Sequence, residues 1–168
     1  LGYGVLAVGL SFTSFAILSL LLHYPAGILA DRFGSATTAL IGLIAVALAM
    51  ALIPFVRDLT TLLALMALFG VGHGFVFPSA SSLVTRGSDP GQHGLVTGLL
   101  YALLVLGVAI GAPAMGAVAS GSNYGFGIWA SAWIALLGIA FLARAVLSTS
   151  ESAAVAPAAR ILVNASCP

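Results

Sequence analysis

The side chain best suited to chemistry in this chain is His73, which lies midway along an apolar run between Asp58 and Arg86. An imidazole with an unperturbed pKa of about 6.5 can gain or lose a proton near physiological pH. Phe69 and Phe77 stand one helical turn before and after it, so a helix would place all three side chains on one face. The pattern predicts a group that binds a small molecule or carries a proton. The alternative is a neutral histidine that is hydrogen-bonded to a neighbouring helix.

Two further side chains could extend this site along a substrate or proton pathway. His23 lies near the end of the first apolar run, on a helical face that also carries small and aromatic residues. These residues are Phe12, Phe15, Ala16, Ser19 and Gly27. Such a stripe is expected to face protein or water rather than lipid. Tyr101 lies one turn into a later apolar run, where the alternative is an interfacial or packing tyrosine.

Most other kinds of chemistry lack the residues they need. Cys167, the single cysteine, lies beside the C-terminus, so neither a disulfide framework nor a cysteine-based metal site is indicated. Ser79, Ser81 and Ser82 do not stand in the Gly-x-Ser-Gly context of an intramembrane serine protease. The apolar runs also lack the glutamate of a His-Glu-x-x-His metalloprotease. We therefore expect no enzyme activity, metal or cofactor, and an intramembrane enzyme is the least favoured alternative.

The composition excludes a soluble domain. Hydrophobic residues make up 61% of the sequence and charged residues 5%, whereas soluble domains carry about 25% charged residues. The five basic residues are scattered arginines that form no basic patch, so no nucleic-acid partner is indicated.

Five apolar runs are long enough to cross a hydrocarbon core, which needs about 20 residues of helix. None shows the two-residue alternation of a barrel strand. We predict an all-α membrane protein with a bundle of about five transmembrane helices in residues 1–147. We expect the tail, 148–168, to be cytoplasmic and either disordered or weakly amphipathic. The predicted spans are 5–29, 36–56, 59–84, 95–119 and 124–146. The second is apolar all round and is expected to be a lipid-facing support.

The arginines predict how the spans are oriented. Arg32, Arg86, Arg144 and Arg160 fall on one side of five alternating spans, and Arg57 falls on the other. The positive-inside rule makes the first side cytoplasmic. The N-terminus of the chain then lies outside and the C-terminus inside. Because the chain begins with leucine, we expect it to be a fragment that continues upstream by at least one helix.

The segment Gly27–Gly34 reads Gly-Ile-Leu-Ala-Asp-Arg-Phe-Gly. It resembles the loop signature between the second and third helices of each half of the major facilitator superfamily. That signature continues with a basic pair, which Ser35 and Ala36 replace here, and this degraded form favours the second half. The alternative is a solvated loop in which Asp31 pairs with Arg32. The resemblance implies a gating loop that contains Gly27, Asp31, Arg32 and Gly34.

Glycines in two of the runs predict close helix packing. Gly70 and Gly74 form a small-xxx-small pair, which lets a neighbouring backbone approach closely. Their run resembles the tenth helix of the superfamily. Gly107, Gly111 and Pro113 resemble the glycine–proline signature of helix five in antiporters, and fit the eleventh helix equally well.

The chain as a whole resembles helices eight to twelve of a twelve-helix transporter of this superfamily. The resemblance implies part of a secondary active transporter that moves a small molecule by alternating access, as an efflux protein or a metabolite permease. The partners it implies are the lipid bilayer, a small-molecule substrate and an N-terminal half outside this chain, and a coupling proton is left open. It implies a multi-pass protein of the bacterial inner membrane. The alternatives are a small non-transporting membrane scaffold and an inactive transporter remnant.

Overall fold

The computed structural model describes residues 4–121 and 125–144. Within these ranges the chain contains five helices that are long and apolar enough to cross a membrane, and no strand. The predicted all-α membrane bundle is therefore confirmed. The helices are α1 (Val5–Phe33), α2 (Ser35–Leu52), α3 (Leu59–Arg86), α4 (His93–Gly121) and α5 (Gly125–Arg144). Short 3-10 turns follow α2 at Ile53–Phe55 and precede α4 at Pro90–Gln92. The tail 148–168 lies outside the described residues.

The connection between α1 and α2 is shorter than the sequence predicts. The first span was expected to end at residue 29, with a loop up to Ser35, but α1 continues through Pro25 to Phe33. Gly34 alone separates the two helices, with a φ of 89° that glycine adopts without steric cost. Asp31 and Arg32 therefore occupy the last turn of α1 rather than a loop.

The start of α3 is fixed by Asp58 at its N-cap. The Asp58 carboxylate accepts hydrogen bonds from the Thr61 backbone N–H at 2.7 Å and from the Thr61 hydroxyl at 2.8 Å. These bonds stabilise the ionised form, with the backbone bond contributing most, so the pKa of the Asp58 carboxyl lies below its ordinary value. The cap satisfies an N–H that the first turn of a helix leaves unpaired.

α3 packs against α1 on one side, and this contact is close at two glycines. A Cβ added at Gly70 would overlap the carbonyl oxygen of Phe15, and one added at Gly74 would lie 2.9 Å from the carbonyl oxygen of Ser19. Ser14 strengthens the same contact because its hydroxyl donates to the Leu63 carbonyl at 3.0 Å. The sequence thus lets the two backbones meet where both helices are in the bilayer.

α2 packs against another side of α3, and here too small residues meet. A Cβ at Gly42 would lie 2.7 Å from the Gly72 carbonyl oxygen, and a Cβ at Gly72 would lie 2.6 Å from the Gly42 carbonyl oxygen. The Ser35 hydroxyl donates to the Ser82 hydroxyl at 2.9 Å. The helix predicted to be a lipid-facing support therefore has one face buried against α3, while Ile41, Ile44 and Leu48 on α2 remain exposed.

α4 and α5 lie at the edges of the bundle. No residue in the most apolar window of α4 is buried, and a Cβ at Gly107 or Gly111 would meet nothing within 4 Å. The described residues place no helix against Gly107 or Gly111, so the packing role of these glycines stays a prediction. α5 lies beside α2, since Ile44 and Leu48 of α2 line a cleft together with Trp133 of α5. Trp129 of α5 also meets Phe55, in the 3-10 turn after α2, edge-on with ring centroids 5.9 Å apart. Such exposed apolar faces suit lipid or a further helix.

Candidate functional site

Six rings from α1, α3 and α4 form one group, which we call the histidine–aromatic cluster. It contains all five side chains predicted to line a substrate or proton pathway, together with Phe15. The members are Phe15 and His23 on α1, Phe69, His73 and Phe77 on α3, and Tyr101 on α4. Neighbouring ring centroids lie between 5.3 Å and 6.2 Å apart. Helices α1 and α3 supply most of the cluster because their glycine contact holds their backbones together.

His73 is held from three directions. Its Nδ1 lies 2.9 Å from the Ser19 hydroxyl on α1. Its ring stacks on Phe77, with an interplanar angle of 14°, and meets Phe15 edge-on with the centroids 5.3 Å apart. The ring is therefore oriented by two helices while part of its surface remains accessible.

His23 is oriented by the same serine. Its Nδ1 is hydrogen-bonded to the Ser19 carbonyl oxygen, one turn earlier on α1. A carbonyl oxygen can only accept, so Nδ1 carries the hydrogen and Nε2 of the neutral ring is left as an acceptor. Ser19 thus contacts both histidines, with its carbonyl on His23 and its hydroxyl on His73. The two imidazole centroids lie 6.2 Å apart.

Two clefts adjoin the cluster. The first, of about 480 Å³, is lined by His23 and Phe77 and extends along hydroxyl side chains towards Arg86; we call it the Arg86 cleft. The second, of about 460 Å³, lies between α3 and α4 and is lined by His73, Phe77 and Tyr101 with aliphatic residues of α4; we call it the Tyr101 cleft. Phe77 lines both clefts. The two histidines of the cluster therefore line different clefts, His23 the Arg86 cleft and His73 the Tyr101 cleft.

Asp31 makes an ion pair, although not with the residue next to it. Arg86 Nη2 on α3 lies 2.7 Å from Asp31 Oδ1 on α1. The structure therefore does not show the pairing with Arg32 that the sequence offered as an alternative. The pair lies at the lining of the Arg86 cleft, where both helices end.

Sequence reasoning left two members of the site out of the predicted pathway. Phe15 and Ser19 share a helical face with His23, at spacings of four residues, and this stripe was the available signal. The sequence of this stripe does not show which residues of α3 it faces. The contacts of Ser19 with His73 and of Phe15 with Phe69 follow from the register between α1 and α3.

The described part of the chain offers little for a metal ion. In residues 4–121 and 125–144, no group of three or more His, Cys, Asp or Glu side chains could hold one. The chemistry available to the cluster is hydrogen bonding by imidazoles and hydroxyls, proton exchange at the histidines, and stacking on aromatic faces.

Five long apolar helices, three of which contribute to a partly accessible histidine–aromatic cluster beside two clefts, are typical of a multi-pass membrane protein. The sequence matches the Major Facilitator Superfamily over residues 1–167, so the chain belongs to this superfamily of transporters. Membership sets aside the intramembrane-enzyme hypothesis. The chain is also similar to the hexuronate transporter of Bacillus subtilis (strain 168), with 28% identity over 112 residues. The match covers 67% of this chain and 26% of the relative, so it spans about a quarter of the relative's length.

Proposed function

We propose that this chain forms part of a secondary active transporter that moves a small molecule across the membrane by alternating access, and that the histidine–aromatic cluster lines the pathway. One observation carries the proposal. His73 is held by Ser19 and Phe77 at the middle of a membrane-spanning helix, and it lines a cleft of about 460 Å³. Polar groups at that depth are costly in lipid and generally serve a pathway or a binding site.

The exposed face of α4 is an argument that another half of the transporter packs beside this chain. Gly107 and Gly111 lie on that helix with open space around them, and glycines at such spacing let another helix approach closely. The Tyr101 cleft is bounded by the same helix. In transporters built from repeats, the site lies at the interface between repeats near the midplane. An N-terminal half on α4 would therefore close the Tyr101 cleft and complete the site.

A carboxylated small molecule is the substrate class that we propose, which makes the protein a metabolite permease rather than an efflux protein. A hexuronate, which the similar Bacillus subtilis protein is named for, carries a carboxylate and several hydroxyl groups. In the described helices, the Asp and Arg side chains lie in terminal turns, so His23 and His73 are the groups that could offer positive charge deeper in the bundle. A protonated imidazole can bind a carboxylate by a charge-assisted hydrogen bond.

The same argument links substrate binding to a proton. A neutral imidazole has no charge to offer a carboxylate, so binding of the anion would favour uptake of a proton by the cluster. We therefore propose proton-coupled uptake. The inner (plasma) membrane of a bacterium is the location that the Bacillus relative supports.

The test is transport in proteoliposomes, using the product of the complete open reading frame that contains this chain. Radiolabelled hexuronates and neutral hexoses are compared, for the wild type, His73→Leu and the control His93→Gln. We expect saturable hexuronate uptake that His73→Leu abolishes and His93→Gln leaves unchanged. Uptake that persists in His73→Leu would contradict the role of the cluster. Absence of uptake of any solute by the wild type would favour the scaffold or remnant alternative.

A further inference from the structure

We propose that Ser19 joins His23 and His73 into a single site that holds one proton at a time, with access to the Arg86 cleft through His23 and to the Tyr101 cleft through His73. The proposal deepens the proposed transport function and rests on it for its role in the cycle. The geometry of the pair can nevertheless be tested without transport.

Ser19 is the only residue for which the structure gives hydrogen bonds to both His23 and His73 among the described positions. Its side chain is buried, with 5% of the residue exposed. Its carbonyl oxygen accepts from His23 Nδ1, and its hydroxyl lies 2.9 Å from His73 Nδ1. The α1–α3 packing at Gly74 fixes the position of this backbone, because a Cβ there would lie 2.9 Å from the same carbonyl oxygen. Ser19 therefore sets the positions of both rings together.

A serine hydroxyl suits a histidine that changes its charge. A hydroxyl can donate to a bare Nδ1 and can accept from a protonated one. The Ser19–His73 bond can therefore persist when His73 gains or loses a proton, after rotation of the hydroxyl hydrogen alone. His23 keeps its Nδ1–H on the Ser19 carbonyl in both charge states, since its Nε2 is the nitrogen that takes up or releases the proton. No heavy atom has to move in either case.

The distance between the rings limits the pair to one charge. Two imidazolium ions with centroids 6.2 Å apart would repel each other in a setting of low polarity. The groups that face the pair from the packed helices offer no countercharge: Phe15 on α1, Phe77 on α3 and Tyr101 on α4. α2 contains no Asp, Glu, His, Lys or Arg. In the Arg86 cleft, Asp31 and Arg86 neutralise each other in their ion pair.

Each histidine has its own access. His23 lines the Arg86 cleft, whose other polar groups include the hydroxyls of Ser82 and Thr85. His73 lines the Tyr101 cleft. Phe77 lies between these approaches, with its ring centroid 5.7 Å from that of His23 and 6.0 Å from that of His73. Each step is the binding of a proton from water in one cleft to an imidazole nitrogen, or its release to water, with no other bond made or broken.

The experiment is ¹⁵N NMR of the imidazole side chains, with the histidine-labelled protein in lipid nanodiscs, titrated from about pH 5 to pH 8, where histidine ordinarily changes its charge. His93 lies outside the cluster, in an exposed position, and serves as the internal reference. The variants are His23→Gln, His73→Gln, Ser19→Ala and Ser19→Thr. The matched control is Ser14→Ala, which removes another hydrogen bond between α1 and α3 without touching a histidine.

In the wild type we expect His23 and His73 to share the uptake of one proton across this range, so that each signal covers only part of its full titration. In either Gln variant the remaining histidine should show one complete step. Ser19→Ala should change the Nδ1 chemical shift of His73, Ser19→Thr should restore it, and Ser14→Ala should leave it unchanged. Independent one-step titrations in the wild type, unaffected by removal of the other histidine, would overturn the proposal. The readout needs no substrate: coupled titration without transport would refute the proposed function alone, and transport with independent titrations would refute the shared proton alone.

Discussion

Arg86 Nη2 lies 2.7 Å from Asp31 Oδ1, so an ion pair joins the last turn of α1 to the last turn of α3. These residues are 55 positions apart in the sequence. The pair shows that α1 and α3 end at the same level, as alternating spans require. It also lies at the lining of the cleft that leads to His23. Arg32 and Arg86, two of the four arginines predicted to share one side of the membrane, therefore lie at the same end of these two helices.

Asp31→Asn should impair transport while leaving the protein folded and in the membrane. The side chains of Arg86 and Asp31 are 54% and 74% exposed, and exposed ion pairs contribute about 0–1 kcal/mol to stability. Transport and melting temperature are measured together in the full transporter. Asp89→Asn is the control, because Asp89 is an exposed carboxylate with no ion pair among the described residues. A large drop in melting temperature would indicate a folding role, and unchanged transport would refute a gating role.

The Gly42–Gly72 contact should be sensitive to a single methyl group. Gly72→Ala places a Cβ 2.6 Å from the Gly42 carbonyl oxygen, which forces the helices apart. We expect the free energy of unfolding to fall by about 1–3 kcal/mol, the usual cost of overpacking. The measurement is thermal unfolding in detergent. Gly138→Ala on α5 is the matched control, since Gly138 is exposed and a Cβ there meets nothing within 4 Å. Equal stability of the two variants would contradict the close α2–α3 contact.

The Asp58 cap should make stability depend on pH in the acid range. Hydrogen bonds from Thr61 hold the pKa of the folded carboxyl below its ordinary value of 3.8. Because the pKa of Asp58 is lower in the folded protein than in the unfolded chain, the ionised carboxylate stabilises the fold at any pH above the pKa of the unfolded chain. This contribution is lost as the pH falls through the pKa of the folded protein. Melting temperature measured between about pH 3 and pH 6 should fall more steeply on acidification in the wild type than in Asp58→Asn. Parallel curves would contradict a capping role for this carboxylate.

The orientation can be tested with single cysteines in a Cys167→Ser background. Gly34 is a poor reporter because its φ of 89° would strain a cysteine. Gly91, in the turn before α4, and Ser120, near the end of α4, are both exposed. An impermeant thiol reagent added to intact cells should label Ser120→Cys and not Gly91→Cys. The opposite pattern would reverse the predicted orientation.

The positions of the helices could be predicted from hydropathy, but several of their ends could not. Charge content favoured a loop at Asp31 and Arg32, whereas the helix continues to Phe33, because a single glycine with positive φ is enough to turn the chain. Gly70 and Gly74 were recognisable as a packing pair from their spacing. The partner that Gly72 meets, Gly42, was not, because the alanine and leucine pattern of α2 marks no preferred face.

Five of the six rings of the cluster could be predicted from the sequence, but the contacts between its helices could not, for a related reason. The spacing of Phe69, His73 and Phe77 is a property of one helix, so the sequence alone shows that they share a face. The bonds of Ser19 to both histidines require α1 and α3 to meet in one register. That register is set by the glycine contacts between the two helices, and a single sequence does not contain it.

The most direct test of a pathway through the histidine–aromatic cluster is the pH dependence of uptake by His73→Gln in proteoliposomes of the full transporter. Glutamine keeps a hydrogen bond to Ser19 but does not titrate in this range. We expect hexuronate uptake driven by an inward proton gradient to be lost in this variant, while the amount of folded protein equals that of the wild type. Uptake by His73→Gln with the rate, apparent affinity and pH dependence of the wild type would contradict the role of His73 in transport.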